Sequence, residues 1–176
     1  TFGTVMTDSR TLEGGALFVA LRGERFDGHQ FVPEALASGA AGALVEREVA
    51  VALPQVQVRD ALAGLTAFAA AWRREFTGKV VGITGSNGKT TVKEMTGSIL
   101  GCEGPTLVTR GNLNNHIGVP LTLCRLEAAH RFAVIEMGAN HLHEIEQLAA
   151  IGRPDVGLVI NAGPAHLEGF GGIEGV

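Results

Sequence analysis

Gly82-Ile83-Thr84-Gly85-Ser86-Asn87-Gly88-Lys89-Thr90-Thr91 is the stretch whose reading decides the fold. The apolar run over 79–84 predicts a strand, 85–88 a tight glycine turn, and 90–100 a helix. Such a turn lets backbone N–H groups converge on an anion, and the helix N-terminus adds its dipole. Lys89 is then placed to reach the β- and γ-phosphates of a nucleotide, and the Thr90 hydroxyl to ligate Mg²⁺. Gly85, Ser86, Asn87, Gly88, Lys89, Thr90 and Thr91 are therefore read as nucleotide-binding residues. The generic phosphate loop has glycine five residues before Gly88, where this chain has Ile83, and Gly82 sits one place too early. The plain alternative is an ordinary strand–helix turn with Lys89 in solvent. Phosphate binding is preferred because strand and helix fall where the mechanism needs them.

Working outward, 132–136 and 156–161 read as apolar strands with a helix over 142–150 between them. This alternation predicts a parallel sheet covered by helices. Ligands of such sheets bind beyond the carboxyl ends of the strands. Glu136 ends one strand there and becomes a candidate Mg²⁺ ligand. His166 follows the next strand, on the loop Ala162-Gly163-Pro164-Ala165. By position alone it is as good a solvated histidine as a metal or substrate contact. Asn112, Asn114 and Asn115 form a polar cluster that could present amides to a substrate, although as residues they are first of all turn formers.

On the other side of the phosphate loop, 16–21, 43–45 and 55–58 read as short strands and 31–40 as a helix. Asp60 is a plausible N-cap for a long helix. Leu62, Leu65, Ala69, Trp72 and Phe76 recur along it at 3- and 4-residue steps, a stripe expected to pack on the first domain. A change of character at Thr77-Gly78 sets the expected boundary. Residues 1–76 form a small N-terminal α/β domain, and residues 77–176 the first part of a parallel-sheet, phosphate-loop ATPase domain.

The composition narrows the function. The 176-residue chain is 45% hydrophobic with a formal net charge of −4. Each half, 1–76 and 77–176, carries 7 basic and 9 acidic side chains, so no basic face points to nucleic acid. Cys102 and Cys124 form no CxxC, and a reducing cytoplasm is the expected setting. No apolar run approaches the ~20 residues of a membrane span. Thr1 is not a usual start and Gly175-Val176 stops within a glycine-rich loop, so the chain reads as a piece of a longer protein.

Taken together, these motifs resemble the Mur ligase family, which joins amino acids to UDP-N-acetylmuramic acid precursors using ATP. The phosphate loop is similar to the family's own version, including its departure from the generic spacing. Asp8-Ser9-Arg10, Gly15-Ala16-Leu17-Phe18-Val19-Ala20-Leu21-Arg22-Gly23 and Asp27-Gly28-His29 resemble its UDP-sugar-binding N-terminal domain. Two stretches are similar to the member that adds D-alanyl-D-alanine to UDP-N-acetylmuramoyl-tripeptide. They are Glu136-Met137-Gly138-Ala139-Asn140 and Asn161-Ala162-Gly163-Pro164-Ala165-His166-Leu167-Glu168-Gly169-Phe170-Gly171. Gly111-Asn112-Leu113-Asn114-Asn115-His116-Ile117-Gly118-Val119-Pro120 is similar to the family's asparagine-rich substrate loop.

The resemblance implies an ATP- and Mg²⁺-dependent ligase of peptidoglycan synthesis, cytoplasmic and monomeric, with those two substrates as partners. Lys89 would hold the ATP phosphates, Thr90 and Glu136 one Mg²⁺, and His166 a second metal. Asn112, Asn114 and Asn115 would line the substrate passage, with Ser9 and Arg10 nearer the UDP group. The alternatives are the sister ligase that adds a diamino third residue and a non-catalytic nucleotide-binding module. The family also uses adenine-binding, carbamylated-lysine and C-terminal-domain residues that lie past position 176. Residues 1–176 expressed by themselves are therefore expected to release no phosphate from ATP when both substrates are supplied, as a phosphate-release assay would check.

Overall fold

The computed structural model describes residues 2–24, 26–164, 166–172 and 175, so Ala165 of the histidine-bearing loop lies outside the described residues. The chain divides into two compact units, Thr1–Phe68 and Ala69–Val176. The division falls inside a long helix, eight residues before Thr77.

The first unit carries a four-stranded parallel sheet in the order β1 (Val5–Met6), β2 (Leu17–Val19), β3 (Gly42–Val45), β4 (Gln55–Gln57). Helix α1 (Val32–Ala37) sits between β2 and β3 in sequence. Phe18, Ala20, Val32, Ala35, Ala43 and Val45 form its core. The Asp27-Gly28-His29 motif is part of that packing. His29 is 2% exposed, and its Nε2 accepts from the Glu46 N–H at 2.8 Å. The proton of the neutral ring is therefore on Nδ1, which donates to Asp27 Oδ1 at 2.6 Å. Asp27 also accepts from Arg47 at 2.5 Å, and that guanidinium holds its carboxyl far below the usual carboxylate range. A Cβ on Gly28 would stand 2.5 Å from the Leu21 carbonyl oxygen, so glycine is required there.

Helix α2 (Ala61–Glu75) differs from its expected stripe. The buried positions are Ala61, Leu65, Ala69 and Arg73, spaced by four, while Trp72 is 44% exposed. Arg73 is buried because three backbone carbonyls, of Gly152, Arg153 and Phe76, accept from its guanidinium. Nor does the stripe serve the first unit alone, since Ala69 and Phe76 belong to the core of the second.

The second unit is a four-stranded parallel sheet in the order β6-β7-β5-β8. Its strands are β5 (Lys79–Thr84), β6 (Thr106–Val108), β7 (Phe132–Glu136) and β8 (Val156–Val159). Helices α3 (Lys89–Glu103), α4 (Gly118–Leu123), α5 (Glu144–Gly152) and α6 (Leu167–Phe170) connect or follow them. Three of these elements, β6, α4 and α6, were not expected from the sequence, nor was β1 in the first unit. Val80, Leu107, Val119, Leu123, Ala133, Ile135 and Leu148 build the core. The fold is thus α/β with parallel sheets, as the strand–helix alternation implied. Among the described residues no helix is long and apolar enough to cross a membrane.

One ionic contact ties β5 to the turn before β8. Asp155 accepts from Lys79 Nζ at 2.8 Å and from the Val80 N–H at 2.9 Å. The lysine bond, the amide bond and the nearby Arg73 hold its carboxyl below its ordinary range. A carboxyl lowered in the folded state stabilises above its unfolded titration range, and that contribution is lost as pH falls through the folded range. Asp155→Asn should cost about 1 kcal/mol at pH 7. The difference from the parent should close as urea titrations are repeated at falling pH below about 4.

Candidate functional site: a phosphate loop beside a buried carboxylate

The site lies at the carboxyl ends of β5 and β7, which pair with Ile83 level with Glu136. That register brings the phosphate loop and the strand-end acid to the same edge. Gly85 and Gly88 have φ of 147° and 81°, backbone that side-chain-bearing residues rarely adopt, and Gly88 caps α3. The loop is also clamped from outside. Asn161 Oδ1 accepts from the Asn87 N–H at 3.0 Å, and its Nδ2 donates to the Asn87 carbonyl at 2.9 Å. The Ser86 hydroxyl donates to the Gly163 carbonyl and accepts from the Gly163 N–H, each at 2.9 Å. Lys89 folds back over the turn, its Nζ donating to the Gly85 carbonyl at 2.6 Å and the Ser86 carbonyl at 3.4 Å. Its ammonium is thereby held over the glycine turn.

Thr90 lies in the first turn of α3 and donates to Glu136 Oε2 at 3.2 Å. Glu136 is 2% exposed. Asn114 Nδ2 donates to its Oε1 at 2.8 Å, and Lys93 Nζ lies 3.5 Å from Oε2. The Glu136 backbone N–H is taken by the Thr109 hydroxyl at 3.0 Å. Gly138 keeps room for this arrangement, since a Cβ there would stand 2.9 Å from Asn114 Cγ. Two oxygen donors beside a phosphate loop, one of them anionic, are the donor chemistry that suits Mg²⁺. Among the described residues no three His, Cys, Asp or Glu side chains gather into a metal-binding group.

His166 lines a cavity of about 260 Å³ together with Thr84, Ser86, Lys89, Asn161 and Phe170. It is exposed, with φ of 53°, and its carbonyl accepts from the Gly169 and Phe170 N–H groups at the start of α6. The structure thus brings His166 to the phosphate loop. His141 and His143 pair with Glu144 and Glu146 at the exposed start of α5.

The three asparagines separate. Asn114 turns inward to Glu136, Asn115 Oδ1 accepts from the Ile117 and Gly118 N–H groups at the start of α4, and Asn112 is exposed. In the first unit Ser9 is buried, its hydroxyl donating to Glu34 at 3.0 Å, while Arg10 is exposed and paired with Asp8 at 2.7 Å. The residues that sequence reasoning did not single out are Lys93 and Asn161. Lys93 lies three residues after Thr90 and four before Gly97, on one helix face that turns toward the sheet. Asn161 entered only as the first residue of a quoted stretch, with no sign that its side chain clamps the turn.

A glycine turn opening a helix, a hydroxyl and a carboxylate stand side by side at the edge of a parallel sheet in an α/β domain, and the chain belongs to the Mur ligase family. The profile of the Mur ligase middle domain matches residues 83–176, and that described as Mur ligase family, catalytic domain, matches residues 1–73. Among its relatives, the UDP-N-acetylmuramoyl-tripeptide–D-alanyl-D-alanine ligase of Escherichia coli K12 is 51% identical across all of this chain, which spans 39% of that protein. A crystal structure of MurF from Acinetobacter baumannii superposes with a TM-score of 0.91 at 47% identity, over 98% of this chain and 38% of that one. The MurF ligase of Thermotoga maritima, solved in complex with ADP, gives 0.86 at 37% identity, over 98% and 40%.

A positive charge aimed at phosphate contributes a charge-assisted contact of roughly 1.5–3 kcal/mol. Lys89→Ala in the complete chain should therefore weaken ADP binding by roughly 10–100-fold. Calorimetric titration would measure it, and ADP affinity within twofold of the parent would remove Lys89 from the phosphate site.

Proposed function

We propose that this chain is the N-terminal and central part of an ATP-dependent ligase that adds D-alanyl-D-alanine to UDP-N-acetylmuramoyl-tripeptide in the cytoplasm during peptidoglycan synthesis. The observation that carries the reading is the meeting of Thr90 and Glu136 at the mouth of the phosphate loop, with Lys89 on the loop itself. The relatives named above support the choice of substrates. In this reading the first unit binds the UDP precursor and the second binds ATP. Ser9 and Arg10 face the UDP end, Asn112, Asn114 and Asn115 flank the acceptor peptide, and the enzyme works as a monomer.

A carboxylate oxygen of the tripeptide attacks the γ-phosphorus of ATP, and the bond to the β-phosphate oxygen breaks to leave ADP and an acyl phosphate. The amine of D-alanyl-D-alanine then attacks the acyl carbon. A tetrahedral intermediate collapses with loss of a proton and inorganic phosphate, leaving the amide. The first step joins two anions, so the protein's work is to align them and offset their repulsion. Lys89 does so by exchanging its two loop carbonyls for phosphate oxygens. The start of α3, opened by Gly88, offers N–H groups to the phosphates. Glu136 and Thr90 would hold Mg²⁺, which supplies charge neutralisation on the phosphates when bound. His166, on the cavity wall, would help hold a second metal.

The test is phosphate release from ATP by the complete enzyme with UDP-N-acetylmuramoyl-tripeptide, with and without D-alanyl-D-alanine. Release that depends on both is the expected result. Release that needs instead the UDP-dipeptide acceptor and a diamino acid would transfer the chain to the sister activity. No release with either pair would leave a nucleotide-binding module.

A further inference from the structure

Lys93 is 0% exposed, in a chain whose other two lysines, Lys79 and Lys89, reach solvent or the phosphate loop. A fully buried ammonium needs a reason, because burial of an uncompensated charge is costly. Its Nζ has three neighbours. They are Glu94 Oε1 at 3.1 Å, the Gly111 carbonyl oxygen at 3.2 Å and Glu136 Oε2 at 3.5 Å. The shortest ion pair is the weakest of these claims on it, since the Glu94 side chain is 63% exposed and screened by water. Glu136 is 2% exposed and cannot draw on solvent in the same way. Its other side-chain partners, Asn114 and Thr90, are neutral donors. Lys93 is thus the cation against which the buried carboxylate is held.

We propose that Lys93 is a positioning residue for the cation site, the resident counter-charge that keeps Glu136 buried and aimed at Thr90 before a divalent ion arrives. The inference rests on the reading of Glu136 as a cation ligand and adds the residue that makes such a carboxylate tolerable in an empty site. The helix supplies the geometry. Thr90 and Lys93 lie on one face of α3, so a single strand-end carboxylate meets a hydroxyl from the first turn and an ammonium from the next. By also donating to Gly111, Lys93 fixes the start of the asparagine-rich loop whose Asn114 completes the hold on Glu136. A divalent cation would then share a carboxylate that is already oriented, rather than capture a mobile one.

The test uses the complete chain and four variants, K93M, E136Q, K93M/E136Q and E94Q, with thermal unfolding read in chelator and again with saturating Mn²⁺ and ADP. In chelator K93M should lower the midpoint by roughly 5–10 °C, because it strands a buried anion. The double variant should recover at least half of that loss, since neither charge remains. E94Q, at an exposed position, should shift the midpoint by less than about 2 °C. Mn²⁺ with ADP should raise the midpoint of K93M by more than that of the parent, because the dication supplies the missing charge. A lysine that merely fills space would give additive losses and equal metal-induced shifts, and that result overturns the proposal. If K93M fails to fold while the double variant folds, the pairing stands, and if neither folds, Lys93 is structural and the proposal fails. Titration of Mn²⁺ in the presence of ADP into E136Q decides the underlying reading separately. Affinity equal to the parent's would remove Glu136 from cation binding whatever the unfolding data say.

Discussion

The pairing of β5 with β7 is the constraint from which the site follows. Parallel strands finish at the same edge of a sheet, and here the register sets Ile83 opposite Glu136. The backbone leaving β5 must then turn through glycines to start α3, while the backbone leaving β7 ends on an acid. A shift of the register by one residue would turn Glu136 to the other face of the sheet, away from Thr90. The apolar run Ala133-Val134-Ile135, fully buried, holds the register because each of its side chains has a place in the core. Packing of ordinary aliphatic residues therefore decides where the one buried acid of this sheet can point.

That acid is expensive to bury, and the structure meets the cost with four groups drawn from three segments. The Thr90 hydroxyl and Lys93 ammonium come from α3, Asn114 from the loop before α4, and the Thr109 hydroxyl, which takes the Glu136 backbone N–H, from just after β6. Each is modest by itself. Together they give the carboxylate two neutral donors and one cation in a region of low polarity, where such contacts strengthen one another. The same low polarity makes the arrangement sensitive to loss of any one member.

The sequence disclosed the features that local backbone chemistry dictates. Glycines at 85 and 88 were legible because their φ values admit little else, and Glu136 because strand ends face the ligand edge of parallel sheets. Parts that depend on distant partners were hidden. A lysine in a helix reads as solvated, and nothing near Lys93 reveals the carboxylate 43 residues away in the chain. Asn114 reads as a turn former, yet its amide goes to Glu136. Strand β6, three residues long, is too brief to show a period, and α4 carries Pro120, a residue that argues against helix except in the first turn, where this one lies. In α2 the stripe expected through Trp72 runs instead through Arg73, because three carbonyls accept from a guanidinium that composition alone places in solvent.

The clamp that Asn161 and Gly163 place on the phosphate loop has a bearing on how the domain is made. The loop itself is synthesised early, with β5 and α3, but the groups that occupy its Asn87 amide and Ser86 hydroxyl lie 74 and 77 residues further along. A ribosome delivers residues one at a time, at about 5–20 per second. For several seconds, then, the emerging chain holds a glycine turn whose outer hydrogen-bonding groups still lack their Asn161 and Gly163 partners. Only when β8 docks beside β5 is the turn set. The shape of the turn is in this sense a late product of folding.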